Sequence, residues 1–460
     1  MSERDLGLLA PVTVGFDDPV ADEAVLGALV AAEVALTRAW CTVGVAPAAA
    51  ADAVSAAFGW RGAGEPCAGH GIDPAALAAA GASVGNPVIP LVGTMRERVA
   101  VEHRPWIHPA ATSQDVLDSA LMLVARRSAE AIDAHLVDVE ATLVAIAAAH
   151  RDSVAAARTL GQHAVPTTVG LRAATWLAGV RRARRRLADA AGALPAQLGG
   201  AAGTLAASVE TATRTRGPRD ALAAAEALPA TFAAELALAT PDAPWHTTRW
   251  PVTELGDALV QAVDAAGVVA ADVATLSRTE IGELAEGAPA GSSAMPHKRN
   301  PAASVLIRSA AIRAPHLAAT LHTAAALAVD ERPDGAWHAE WPALRELLRL
   351  ALGATGTLSR LIAGLTIDDA AIARNLGATG GLIVSERVSA VLAPVLGADA
   401  VARIIARAAG GESFEGLVRE AVSASGADVD IDDLLEPARY TGLAGRIVDR
   451  SLDIGVEEPS

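Results

Sequence analysis

The run Gly291-Ser292-Ser293-Ala294-Met295-Pro296-His297-Lys298-Arg299-Asn300-Pro301 is the most informative stretch of this 460-residue chain. It contains the only lysine, Lys298, so the other 36 of the 37 lysine and arginine residues are arginine. A lysine ammonium is a compact point charge on a flexible stem, which the planar fork of arginine does not reproduce. We therefore predict a chemical role for Lys298, in a loop whose glycines and prolines are typical of a segment that closes over a ligand.

Within this run Ser292 is the predicted proton-transfer group. A serine hydroxyl is a very weak acid, so its alkoxide needs stabilisation by loop N–H groups and by the charge of Lys298. Asn300 is placed to orient a carboxylate or lactone oxygen. The alternative interpretation is a surface loop that is simply rich in turn-forming residues.

Composition narrows the class of protein. Hydrophobic residues make up 52% of the chain but aromatic residues only 3%, so a large core must be built from alanine, leucine and valine. This composition favours close-packed helices over sheets. The formal net charge of -16 argues against a general nucleic-acid or membrane-surface role, because both usually require a basic face.

The two cysteines, Cys41 and Cys67, do not have the spacing of a metal site and fit a reducing compartment. The N-terminal residues lack the basic and apolar regions of a signal peptide, and we expect no apolar run of about 18 residues that would span a membrane. The sequence thus predicts a soluble, cytoplasmic protein.

Hydrophobic periodicity predicts a helical protein. Residues 21–40 have a helical period, with Glu33 expected on the solvent side. The pattern predicts an N-terminal helical domain (1–110), a central bundle of long helices (111–365) and a C-terminal helical domain (366–460). The predicted long helices cover roughly 113–150, 168–192, 250–285, 302–330 and 338–364. Several are apolar on most faces and are expected to be buried, in part against partner chains.

A second run, His108 to Asp115, precedes the first long helix. Thr112 and Asp115 match a helix-capping pattern, and capping alone would explain both. A helix N-terminus also offers free N–H groups, so this segment could instead bind a carboxylate with the Thr112 and Ser113 hydroxyls. The two interpretations are compatible.

A third run extends from Thr159 to Gly170, in which Pro166 is predicted to occupy the first turn of the following helix. His163 has an ordinary pKa near ~6.5 and is a candidate general acid or base. The alternative is a structural histidine that only forms hydrogen bonds.

Two further runs are rich in tryptophan. In residues 245–250, Arg249 could grip a carboxylate through two parallel hydrogen bonds, or could pack at a helix start. Residues 331–341 could line a pocket or pack helices together. The glycine-rich run 199–204 could hold a phosphate, but no predicted strand precedes it, which favours a turn or a close helix contact.

Together these runs resemble the fumarase/aspartase superfamily, whose signature is a Gly-Ser-Ser-x-Met-Pro-x-Lys-x-Asn-Pro loop. Residues 291–301 match every fixed position. Residues 85–91, 112–115, 162–170 and 337–341 are most similar to the branch that contains the 3-carboxy-cis,cis-muconate cycloisomerases. The resemblance covers nearly the whole chain.

The resemblance implies an all-α fold with a long central helical bundle, a homotetramer, and active sites shared between subunits. It also implies a small polycarboxylate substrate and no metal or organic cofactor. Ser292, His163 and Lys298 would be catalytic. The substrate-binding residues would be Thr112, Ser113, Gln114, Thr159, Gln162, Arg249, His297, Arg299 and Asn300.

Two positions depart from the family pattern. Leu160 stands where many lyases of the superfamily have a histidine that assists the leaving group, and Ala110 stands where the family often has glycine. Because cycloisomerases also lack that histidine, Leu160 favours ring closure of 3-carboxy-cis,cis-muconate to carboxymuconolactone, a step in protocatechuate breakdown. The alternative is a lyase that eliminates an amine or another group from a succinyl compound and releases fumarate. A non-catalytic protein of the same fold is disfavoured because the reactive loop residues are present.

Overall fold

The chain is described here by a computed structural model that covers residues 6–287, 295 and 297–453. Ser292 lies outside these residues. The helices are α1 (Asp22–Thr42), α2 (Ala48–Ala57), α3 (Pro74–Val84), α4 (Val88–Glu97), α5 (Ser113–Ala149), α6 (Val169–Gly192), α7 (Ala206–Arg216), α8 (Pro218–Glu235), α9 (Trp250–Leu276), α10 (Ala302–Ala326), α11 (Gly335–Ala363), α12 (Asp369–Leu376), α13 (Ser385–Leu396), α14 (Ala398–Ala409), α15 (Phe414–Ser425), α16 (Ile431–Leu435) and α17 (Ala444–Asp453). The predicted all-α class is confirmed.

Two small antiparallel pairs of strands interrupt the helices. Strands β1 (Val154–Thr159) and β2 (Gln162–Thr168) form a hairpin, and β3 (Leu284–Ala285) pairs with β4 (Thr366–Ile367). Pro166 therefore lies in a strand, opposite Ala156, and the prediction that it begins α6 was wrong. The structural reason is that residues 162–168 are paired with β1, so that the helix begins only after this pairing ends.

The chain divides into two compact units. The first contains the residues up to His135 together with Ala183–Asp264 and Ser309–Gly356, and the second contains Leu136–Arg182, Ala265–Arg308 and the residues from Thr357 onward. The division into three domains stays a prediction.

In the first unit the N-terminal segment packs along α11 at two glycines. A Cβ atom at Gly353 would lie 2.3 Å from the carbonyl oxygen of Val12, and one at Gly356 would lie 2.2 Å from the Phe16 ring. Both positions therefore require glycine because the neighbouring chain occupies the space of a side chain. Farther along, Arg345 Nε donates to the Val20 carbonyl at 2.6 Å.

Helix α1 fills the core of the same unit. Trp40 is fully buried, and so is Glu33, which was expected to face solvent. That expectation was wrong because Glu33 has a partner 75 residues away: its Oε1 lies 2.8 Å from His108 Nδ1.

In the second unit the C-terminal helices have their own apolar core. It includes Phe414, Leu392 and Val418. A smaller cluster, Ala155, Val169 and Ile372, packs the β1–β2 hairpin against α6 and α12.

Helices α1 and α9 are long and apolar enough to cross a membrane by length and composition. The expectation that no run of this kind exists was therefore wrong. In α1, 78% of the most apolar stretch is buried inside the structure, against 50% in α9. Alanine and valine make both helices apolar, and for α1 the core of the first unit accounts for that character.

Candidate active site

In the first unit, the start of α5 is organised by Asp115. Its carboxylate accepts hydrogen bonds from the backbone N–H groups of Thr112 (2.9 Å), Gly199 (2.9 Å) and Gly200 (3.0 Å), and lies 2.8 Å from His246 Nε2. The residue is 1% exposed. Asp115 thus caps the helix and also fixes the 199–200 turn, which accounts for that glycine-rich run without a phosphate.

Of the predicted substrate-binding residues, Ser113 and Gln114 begin this helix and Thr112 directly precedes it. Thr112 and Ser113 are half-buried, and the Thr112 hydroxyl accepts a hydrogen bond from Arg332. Gln114 is fully buried, and its side-chain amide donates to Asp118 (3.1 Å) and to the His246 carbonyl (2.9 Å). Only Thr112 and Ser113 therefore combine a position at the helix start with access from outside.

The segment before α5 is held in an unusual backbone conformation. His108 and Ala110 have φ angles of 61° and 59°, in the left-handed region. Ala110 is the position where the family often has glycine, and a non-glycine residue in this region costs roughly 1–2 kcal/mol. Trp40 Nε1 fixes the segment by donating to the Pro109 carbonyl at 3.2 Å. The Glu33–His108 pair adds a second anchor from α1.

Arg249 lies in a buried ionic cluster of the same unit. Its guanidinium donates to both carboxylate oxygens of Asp118 (2.7 and 3.1 Å) and to Glu340 (2.7 Å at the shortest). The indole ring of Trp245 lies 4.6 Å away and Trp337 Nε1 also donates to Asp118. Arg249 binds carboxylates, but the carboxylates that it binds in the structure are the side chains of Asp118 and Glu340.

The second group of candidates lies in the second unit, on the β1–β2 hairpin. Leu160 and Gly161 form its two-residue turn, with φ angles of 51° and 80°. Positive φ at both positions is the signature of a type I′ turn, which usually contains Asn-Gly. Thr159 and Gln162 flank this turn and are exposed, and the Leu160 side chain is fully exposed.

His163 follows on β2, opposite Arg158. Burial and the charge of Arg158 lower the pKa of His163, and Glu283 only partly offsets them. At neutral pH the imidazole is therefore uncharged, which suits a proton acceptor better than a donor.

Glu283 fixes the segment that leads into the signature loop. The fully buried carboxylate accepts two hydrogen bonds from Arg158 and one from Asn375 (2.8 Å), with Arg172 3.9 Å away. Burial acts to raise the pKa of Glu283, but these donors and charges outweigh it, so the pKa lies below its usual range. Arg158 and Asn375 thus bring the hairpin and α12 to the stem of the loop.

A second glutamate fixes the segment after the loop. Glu286 accepts hydrogen bonds from Ser304 N (2.8 Å), Ser304 Oγ (2.7 Å) and Ala303 N (3.1 Å). These N–H groups belong to the first turn of α10, so this helix start is occupied by a carboxylate of the chain itself.

The described end of the signature loop is accessible. His297, Lys298 and Arg299 are exposed and Asn300 is half-buried. His297 and Arg299 line one cavity of about 540 Å³, together with Glu286 and residues 277–279 and 366–369 among others. Within the described residues, no group of three or more His, Cys, Asp or Glu side chains could hold a metal ion.

The structure adds residues that the sequence analysis did not select: Asp118, His246, Glu283, Glu286, Arg332 and Glu340. Their contacts join residues that are distant in sequence, such as Arg249 and Asp118, which are 131 positions apart. A single sequence contains no signal for such pairs, apart from the capping pattern that indicated Asp115.

The fold and the loop define the class of protein: this chain belongs to the fumarase/aspartase superfamily. The sequence pattern of a family described as lyase matches residues 16–315. Among characterised relatives, the nitrosuccinate lyase of Streptomyces davaonensis is 44% identical, over 97% of this chain and 94% of the relative. The 3-carboxy-cis,cis-muconate cycloisomerase of Pseudomonas aeruginosa is 40% identical, over 91% of this chain and 90% of the relative.

Solved structures agree with this assignment. The crystal structure of the 3-carboxy-cis,cis-muconate lactonizing enzyme from Pseudomonas putida superposes with a TM-score of 0.85 at 34% identity, covering 97% of this chain and 98% of that one. A fumarate lyase from Mesorhizobium superposes with a TM-score of 0.80 at 30% identity, covering 95% of this chain and 96% of the other. The chain is thus a lyase-family enzyme of either the eliminating or the cyclising type.

Proposed function

We propose that the protein is a fumarate-releasing lyase that eliminates nitrite from nitrosuccinate. The observation that carries the proposal is the 44% identity to a nitrosuccinate lyase over 97% of this chain. Leu160 is compatible with it: this residue is fully exposed at the hairpin turn, where many lyases of the superfamily have a histidine that assists the leaving group. Loss of an amine requires protonation of nitrogen, whereas nitrite departs as a stable anion. Leu160 therefore disfavours amine elimination and is compatible with loss of nitrite.

The proposed step balances without a cofactor. A base removes the proton from the carbon next to one carboxylate, the electron pair forms the carbon–carbon double bond, and the carbon–nitrogen bond breaks. Nitrite leaves with the bonding pair and fumarate remains. The developing negative charge spreads onto the adjacent carboxylate, where hydrogen-bond donors and cations lower the barrier.

In this proposal Ser292 is the base and Lys298 stabilises the charge that develops. Carboxylates of the substrate are held by Thr112, Ser113, Thr159, Gln162, His297, Arg299 and Asn300. His163, uncharged at neutral pH, is proposed to take up the hydroxyl proton of Ser292, so that the alkoxide can remove the proton from the substrate carbon. Gln114 and Arg249 remain predicted substrate-binding residues from the resemblance, although the structure uses their donors internally.

The second candidate is the reaction predicted from the sequence, cyclisation of 3-carboxy-cis,cis-muconate to carboxymuconolactone. A carboxylate of the substrate adds to the conjugated double bond and the neighbouring carbon is protonated. This reaction has no leaving group and is also compatible with Leu160. The 40% identity and the TM-score of 0.85 support it.

We further propose a cytoplasmic homotetramer with active sites shared between subunits, and no nucleic-acid or membrane partner. Helix α10 supports association, because Val305 is 55% and Ile312 71% exposed in the single chain. Apolar side chains in such positions are favoured at contacts between subunits.

The test is to incubate the purified enzyme with nitrosuccinate and, separately, with 3-carboxy-cis,cis-muconate. Nitrite and fumarate formed in equal amounts are expected from the first, and no loss of diene absorbance from the second. Ser292→Ala is expected to abolish turnover, and Ser293→Ala is the matched control from the same loop. Diene loss alone would establish the cyclising reaction, and no turnover of either compound by folded protein would refute both.

A further inference from the structure

Arg332 lies in the connection between α10 and α11, next to the first turn of α5. One guanidinium nitrogen donates to the Thr112 hydroxyl, and the other donates to the carbonyl oxygens of Ala201 (2.9 Å) and Gly200 (3.5 Å). The residue is half-buried. Its side chain is therefore held in one place, beside a residue assigned above to substrate binding.

The charge of Arg332 is not neutralised in the part of the chain that the structure describes. Its acceptors are a hydroxyl and two carbonyls, and no carboxylate of the described residues lies within ion-pair distance. Other half-buried arginines differ: Arg38 pairs with Glu235 at 2.8 Å. The carboxylate of Asp115 lies in the same helix turn as Thr112, but it already accepts three backbone N–H groups and contacts His246.

The charge of Arg332 lies beside a helix start that the carboxylate of Asp115 already caps. The start of α5 is the positive end of a 37-residue helix dipole, and the guanidinium of Arg332 adds a full charge beside it. Partial burial weakens the solvation that would otherwise stabilise this charge. An anion bound here would compensate the charge of Arg332.

The contact with Thr112 also sets the direction of a hydroxyl proton. A threonine hydroxyl has one proton and can accept as well as donate. Because the oxygen accepts from Arg332, the proton is free to be donated elsewhere. The next residue, Ser113, also has a hydroxyl, and it has no hydrogen-bond partner among the described residues.

We propose that Arg332 is a substrate-binding residue that, with the Thr112 and Ser113 hydroxyls, binds one carboxylate of the substrate. The planar guanidinium fork matches a planar two-oxygen anion, which a lysine in this place would not match. The inference rests on the proposed function only in taking the substrate to be a polycarboxylate.

The experiment measures fumarate binding to the full-length protein by titration calorimetry, together with KM and kcat for the substrate found active. Arg332→Gln is expected to raise the Kd for fumarate about 10- to 100-fold, the usual effect of removing a charged hydrogen-bond donor. KM should rise more than kcat falls. Adding methylguanidinium should restore part of the binding.

Arg98→Gln is the matched control, because Arg98 also holds two backbone carbonyls, those of His70 and Gly71, but is exposed to solvent. Its Kd should equal that of the wild type. Should Arg332→Gln not fold, Arg332→Lys preserves the charge without the fork and should bind fumarate about tenfold more weakly.

A folded Arg332 variant that binds fumarate within twofold of the wild type would overturn the proposal. So would a loss of binding that the Arg98 control shares. Fumarate binding that depends on Arg332 in a protein without nitrite release would preserve this inference and refute the proposed lyase activity, so the two failures are distinguishable.

Discussion

Arg249 and Lys298 represent two regions of opposite character. The Arg249 side chain is 1% exposed and is enclosed by Asp118 and Glu340, whereas Lys298 is exposed at the end of the signature loop. In the first region the positive charge of Arg249 is neutralised by carboxylates of the same chain. In the second region, no carboxylate of the described residues pairs with Lys298, so its ammonium can bind a substrate. A cation thus contributes to stability where its partners are internal and is available for chemistry where they are not.

The buried region has one more carboxylate than it has guanidinium groups. Burial raises the pKa of Glu340, the hydrogen bonds and charge of Arg249 oppose this, and the charge of Asp118 adds to it, with a net upward direction. Glu340 is thus easier to protonate than a free glutamate. The cluster depends on Arg249 because two buried carboxylates would otherwise face each other.

The largest effect is expected from Arg249→Met, which leaves Asp118 and Glu340 buried without a cation. The free energy of unfolding should fall by about 3–5 kcal/mol, measured by urea denaturation. The control is Arg313→Met, which removes a partly exposed pair with Glu346 and should cost less than about 1 kcal/mol. A variant of unchanged stability that no longer binds substrate would instead establish Arg249 as the substrate clamp predicted from the sequence.

Lys298→Met should lower activity and leave stability unchanged, in contrast to Arg249→Met. Turnover is expected to fall about 10²- to 10³-fold, as when a donor to a developing negative charge is removed. The free energy of unfolding should stay within about 0.5 kcal/mol of the wild type, because the side chain is exposed. Lys298→Arg tests whether charge alone is enough. A Lys298→Met variant that loses stability but keeps its activity would show that Lys298 is a structural residue and not a catalytic one.

The smallest effect on stability is expected from the Glu33–His108 pair. Its carboxylate is buried, like those around Arg249, but its histidine is partly exposed. Burial lowers the pKa of His108, but the charge and hydrogen bond of Glu33 outweigh it, so the pKa is raised. The stability gained from this shift is fully present below the unfolded pKa of about 6.5 and is lost as the pH rises through the higher folded value.

Unfolding measured from pH 6 to pH 9 should therefore show a decline in wild-type stability that His108→Gln lacks. Glu33→Gln should remove the same pH dependence, since the two side chains act as a pair. An equal decline in all three proteins would assign the pH dependence to other groups.

Local patterns predicted the long helices well. The interval 113–150 anticipated α5 at Ser113–Ala149 and 302–330 anticipated α10 at Ala302–Ala326, because helix formation depends on neighbours in sequence. The capping role of Asp115 was also evident from spacing. The β1–β2 hairpin was missed because its Leu160-Gly161 turn lacks the usual asparagine.

Features that depend on distant partners could not be predicted. Arg332 and Thr112 are 220 positions apart, and nothing in either run indicates the contact. The same limit explains why the sequence analysis placed both Arg249 and Lys298 in the active site. Burial and internal partners distinguish the two residues, and both properties arise only in the folded chain.

The N-terminal segment along α11 has a consequence for synthesis. Val12 packs against Gly353, so its partner emerges from the ribosome more than 300 residues later, roughly 20–70 s at ordinary elongation rates. During that interval Trp40 and the other apolar residues of α1 lack much of their final surroundings. Chaperone dependence during translation should therefore be greatest before α11 is complete.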